Sequence, residues 1–121
     1  MKNLLLALLL ISPTSFADWG DVYYCQMTNY GAITLDGEKK LYTLEKFQFK
    51  LDQTKKSMVF GSGGFYNNSV SKLEEGSSWP NQEYWYAKTK YSLTVFEKGK
   101  FLDSQVGVSG LVFVSANCDK F

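Results

Sequence analysis

The sequence predicts an all-β fold: a small antiparallel eight-stranded meander closed into a barrel. Three observations carry that expectation. Most of the chain after residue 17 alternates polar and apolar residues with period two, the mark of half-buried strands. No window of about eleven residues keeps a helical period with caps. Cys25 and Cys118 stand near the two ends of the alternating region, so a bond between them would bring the first and last strands together. A two-sheet sandwich is the alternative, since a disulfide also links packed sheets.

Residues 1–17 read as a signal peptide. Met1-Lys2-Asn3 is positively charged, Leu4 to Ile11 is an apolar run, and Ser15-Phe16-Ala17 has small residues spaced for cleavage after Ala17. Eight apolar residues span roughly 12 Å as a helix, far short of the ~30 Å core of a bilayer, so no membrane span is expected. The mature segment, 18–121, is one β domain of 104 residues (121 minus 17). Its location is extracytoplasmic, secreted or periplasmic in a bacterium.

Each strand has its own pattern. Tyr23, Cys25 and Met27 share one face of the first. In Lys46 to Asp52 the apolar set Phe47, Phe49, Leu51 alternates with Lys46, Gln48, Lys50 and Asp52. The run Leu41 to Glu45 is less regular, which predicts a bulge or a change of facing near Leu44. Met58 to Phe60 reads as a short strand, Phe65 to Leu73 as a fourth, and Glu75 to Asn81 as a turn-rich connection. Gln82 to Lys88 and Tyr91 to Glu97 follow. Lys98-Gly99 and Ser109-Gly110 are hairpin signals joining Tyr91 to Glu97, Lys100 to Val108 and Leu111 to Cys118.

Composition excludes several chemistries. The mature segment has 12 lysines, no arginine and 12 acidic residues, a net charge of 12 minus 12, or zero. Such a balance gives no steering field for nucleic acid, and the usual bidentate readers of phosphate and guanine are missing. With no histidine there is no imidazole base or ligand, and with both cysteines bonded there is no thiol nucleophile. Asp36, Glu38 and Asp103 have no evident partners in sequence, and Glu74 and Glu75 project to opposite faces if extended. No catalytic residue, metal or cofactor is expected.

The stretch Val59-Phe60-Gly61-Ser62-Gly63-Gly64-Phe65-Tyr66 is the main candidate for function. A phosphate cradle requires a following helix, and the residues after it look like strand. A plain turn requires nothing further than glycines that relax the backbone, with Ser62-Gly63-Gly64 as an exposed hairpin tip flanked by Phe60 and Phe65. Ser62-Gly63-Gly64-Phe65-Tyr66 also fits S-G-x-x-Y, and Trp85-Tyr86-Ala87-Lys88-Thr89-Lys90-Tyr91 approximates Y-x-x-x-T-K-G, with tryptophan for the tyrosine and Tyr91 for the glycine. With Tyr23-Tyr24-Cys25 and Asn117-Cys118, these motifs resemble those of the bacterial inhibitors of c-type lysozyme, small exported eight-stranded barrels. The resemblance implies that Ser62, Tyr66 and Lys90 enter the lysozyme cleft, where a hydroxyl and an ammonium suit the two carboxylates of a glycosidase.

Aromatic residues supply the remaining candidates. Tyr84, Trp85 and Tyr86 are consecutive, so one ring must leave the core side; Trp85, with Trp79 and Tyr66, is a candidate surface for a glycan or a protein loop. A barrel lined by Phe47, Phe49, Leu93, Val95 and Phe113 could instead carry a small apolar ligand, as lipocalin-like barrels do. The expectation is thus an exported, non-enzymatic binding module whose partner is a protein, a glycan or a small apolar molecule.

Overall fold

A computed structural model describes residues 17–74 and 84–121, and every regular element in them is a β-strand. The strands are β1 (Val22–Thr34), β2 (Lys39–Leu41), β3 (Lys46–Asp52), β4 (Ser57–Phe60), β5 (Val70–Lys72), β6 (Tyr84–Lys88), β7 (Ser92–Glu97), β8 (Lys100–Gly107) and β9 (Gly110–Lys120). Most of the expected leader, the connection through Glu75 to Asn81 and the start of the expected Gln82 to Lys88 strand lie outside the described residues.

The ladder runs β5-β4-β3-β1-β9-β8-β7-β6, every pair antiparallel, with β2 added alongside the later part of β1. This is an eight-stranded sheet curled almost shut. The seam lies between β5 and β6, which carry no ladder; there the Glu74 N–H donates to the Tyr86 carbonyl at 3.0 Å. The barrel expectation therefore holds apart from that seam, and the sandwich does not form.

Closure begins at β1 and β9. Cys25 and Cys118 are direct cross-strand partners, bonded, with Cα atoms 4.0 Å apart. Their ladder shifts register between Met27 and Asn29, and the bulge is pinned by Thr28 and Asn29, whose side chains both reach the Ser115 hydroxyl at 2.8 Å. The irregularity expected near Leu44 is real in another form: residues 42–45 join β2 to β3 without a ladder of their own. At Lys98 and Gly99, φ values of 50° and 76° make the two-residue turn that matches strand twist.

Rows of cross-strand partners identify the inside. Trp85, Phe96, Phe101, Ala116 and Met27 follow one another across β6, β7, β8, β9 and β1, and all are buried. From β3 come Phe47, Phe49 and Leu51, and from β4 Met58 and Phe60. Rings meet edge to face or tilted, as in Phe49 with Phe96 at 5.1 Å and Phe47 with Phe101 at 4.8 Å. Each such buried ring stabilises the fold by roughly 1.5–3 kcal/mol, with about 0.5–1.5 kcal/mol more for a well-placed pair.

Two expectations are overturned. The lining proposed for β7 and β9 was the wrong face: Thr94, Phe96 and Val114 point inward, while Leu93, Val95 and Phe113 lie on the outside. The cause is chemical: β7 sets Leu93 and Val95 on one face against Phe96 on the other, and its inward Thr94 is satisfied by Asp103. The fourth strand shrinks to Val70–Lys72, since residues 61–69 form a compact run of turns.

Candidate functional site

The topology gathers several turns at one end of the barrel. There β1 turns into β2, β4 leads into the 61–69 loop, β6 turns into β7 through residues 89–91, and β8 turns into β9 through Val108 and Ser109. The opposite end holds residues 18–21, the β3–β4 turn and Lys98-Gly99. Ser62 and Lys90 thus share an end. Both are exposed, and the Lys90 ammonium sits 5.4 Å from the centre of the Tyr91 ring.

The 61–69 loop does not project as a simple hairpin tip. Its backbone lies against β3: the Gly61 N–H donates to the Gln48 carbonyl at 3.0 Å, and the Phe65 N–H to the Lys46 carbonyl at 3.1 Å. Such contact dictates the glycines. A Cβ on Gly64 would lie 2.7 Å from the Phe47 Cα, and one on Gly61 would collide with the Gln48 side chain. Ser62 and Gly63 form the exposed crest. Phe60 is buried and Phe65 half-buried, so the pair does anchor the two sides.

Tyr66 belongs to the anchor, not to the exposed surface. Its ring packs among Phe47, Phe60, Phe65 and Phe101 at 4.7–5.7 Å. Its hydroxyl donates to Asp103 Oδ2 at 2.7 Å. Asp103, on β8 and only 4% exposed, also accepts from the Thr94 hydroxyl at 2.8 Å and from Gln105 Nε2 at 3.2 Å. Burial, and next the Asp103 charge, push the Tyr66 phenol far above its ordinary range, so it remains a proton donor. Asp103, which shows no partner in sequence, is the buried hub that ties the loop to β7 and β8. Phe65 adds a tie to β1 through Tyr30, 4.9 Å away.

Trp85 is displaced from the surface altogether. At 1% exposure it faces the interior and meets Trp19 edge to face at 5.0 Å. In the Tyr84-Trp85-Tyr86 run it is the flanking tyrosines that face out, tilted rings 5.6 Å apart. Trp79 lies outside the described residues. Strand parity could have found this, because Trp85 and Ala87 share a face and Ala87 has no reason to be outside.

A cleft missed by sequence reasoning borders the loop. Its volume is about 190 Å³, and it is lined by Tyr24, Lys46, Phe47, Gln48, Gly63 and Gly64. Tyr24 and Gln48 are cross-strand partners on the outer face of β1 and β3, and Gln26 and Lys46 are the next such pair. The local sequence marks these only as the polar side of two strands. A second cleft, about 330 Å³, opens where β1, β8 and β9 run on beyond the core, among Ala32, Tyr42, Gln105 and Val112. Among the described residues no group of three acidic or cysteine side chains could hold a metal ion, and no helix is long and apolar enough to cross a membrane. No family model, curated protein or solved structure matches the chain.

Proposed function

We propose that the mature segment is an exported, non-enzymatic binding module, and in its specific form a proteinaceous inhibitor of c-type lysozyme acting through Ser62 and Lys90. One observation carries the reading: the loop bearing Ser62 is clamped from beneath by Phe65, Tyr66 and the β3 backbone while Ser62 itself is exposed, at the same end of the barrel as Lys90. A recognition loop already held in place loses little conformational entropy on binding. Tyr66 and Trp85, both turned inward, serve this reading as scaffold.

The carrier reading is less well supported, because the barrel interior is occupied by the protein's own rings. Export is supported by the disulfide, which persists in oxidising compartments. The test is inhibition of a c-type lysozyme by the purified mature protein, alongside Ser62→Ala and Lys90→Ala. Inhibition by the wild type, weakened in each variant with thermal stability unchanged, is the expected result. Full lysozyme activity at a large excess of wild-type protein would end the reading.

A further inference from the structure

Gly61 and Gly64 are explained by their close approach to β3, but Gly63 is not. Its φ lies outside the left-handed region, and a Cβ built on it meets nothing within 4 Å. Neither backbone strain nor packing demands a glycine there. What Gly63 does is leave open the cleft it lines with Tyr24, Lys46, Gln48 and Gly64. A branched side chain at this position would stand beside that opening.

The chemistry of the lining is specific. Lys46 is exposed and makes no ion pair among the described residues, so its ammonium is available to an incoming anion. The Gly63 N–H has no acceptor among the described residues, and Gly63 lines the same opening. Gln48 offers an amide, which both donates and accepts. Tyr24 is 47% exposed and is steadied edge-on by Phe121 at 5.3 Å, which leaves an amphipathic ring on one side of the cleft. At about 190 Å³ the cleft is smaller than the ~300 Å³ at which drug-sized sites begin, so it suits one ring or a terminal group.

We infer that this cleft is a binding site for a saccharide ring bearing a carboxylate. Lys46 and the Gly63 N–H take the carboxylate, Gln48 takes a ring hydroxyl, and Tyr24 covers the apolar face of the ring. The inference stands apart from lysozyme inhibition, since it uses the β3 side of the loop and neither Ser62 Oγ nor Lys90.

The test titrates the mature protein with D-glucuronate, following backbone amides by NMR, with D-glucose and acetate as matched controls. Glucuronate should give saturable shifts at Ser62, Gly63, Gly64 and Lys46 with a Kd on the order of 1 mM, weakening as salt is raised. Lys46→Gln should lower the affinity about tenfold, and Gly63→Val should abolish saturation while leaving the thermal midpoint within a few degrees. Lys90→Ala should leave the glucuronate affinity unchanged. An equal response to acetate overturns the saccharide assignment, and an equal response to glucose overturns the role of Lys46. Absence of saturable shifts, or unchanged affinity in Lys46→Gln, overturns the site.

Discussion

Replacing Tyr66 by phenylalanine removes one oxygen and leaves the ring packing in place. The lost oxygen donates at 2.7 Å to Asp103, a carboxyl group 4% exposed with two other donors, Thr94 and Gln105. No cavity of consequence is created, so the cost is that of one hydrogen bond to a charged group, about 1.5–3 kcal/mol. A value near 2 kcal/mol lowers the midpoint of a domain of this size by about 8–16 °C. Equilibrium unfolding in urea at neutral pH measures it, and a shift in midpoint at constant slope assigns the change to stability. A double-mutant cycle with Asp103→Leu should return a coupling of more than about 1 kcal/mol, because leucine removes the acceptor that Tyr66→Phe leaves short of a donor. Tyr66→Phe within about 0.5 kcal/mol of wild type would refute the assignment of Asp103 as the hub holding the loop. Amide exchange at residues 61–69 should rise in the same variant, which ties the lost bond to that loop.

Three further outcomes follow from particular contacts. Gly64→Ala should destabilise by more than about 1 kcal/mol and Gly63→Ala by less than about 0.5, since only the first places a Cβ against backbone; chemical denaturation of both decides it. Removing the disulfide as Cys25→Ala with Cys118→Ala should cost about 4–5 kcal/mol on the chain-entropy scale for a sequence separation of 93, and reduction of the wild type should give a comparable loss. Burial, and next Asp21, push the Tyr23 phenol up to about 12. The native state therefore holds a proton that the unfolded chain releases near 10, so stability falls as pH rises from about 10 to about 12; Tyr23→Phe should flatten that fall in an alkaline unfolding series.

Where one face of a strand was polar, the sequence sufficed. Lys46, Gln48, Lys50 and Asp52 leave Phe47, Phe49 and Leu51 no choice of side, and β3 forms as expected. On β7, Leu93 and Val95 compete with Phe96 for the interior, and the deciding residue is Thr94, whose burial depends on an aspartate in the next strand. Local alternation cannot register a partner nine residues away. The glycine loop was legible as a turn and as a candidate site, but its folding back onto β3 depends on contacts with Lys46 and Gln48. The cleft beside it draws on β1, β3 and the loop, so no single stretch of sequence announces it.

The bond between Cys25 and Cys118 has a mechanical consequence. Pulled at Asp18 and Phe121, the chain can yield only the seven residues before Cys25 (25 minus 18) and the three after Cys118 (121 minus 118). At most ~3.6 Å per residue, ten residues extend to roughly 35 Å. Beyond that length the load passes through a covalent link and bypasses every ladder of the barrel. Stretched between Asp18 and Phe121, the domain would thus resist further extension until the disulfide is reduced.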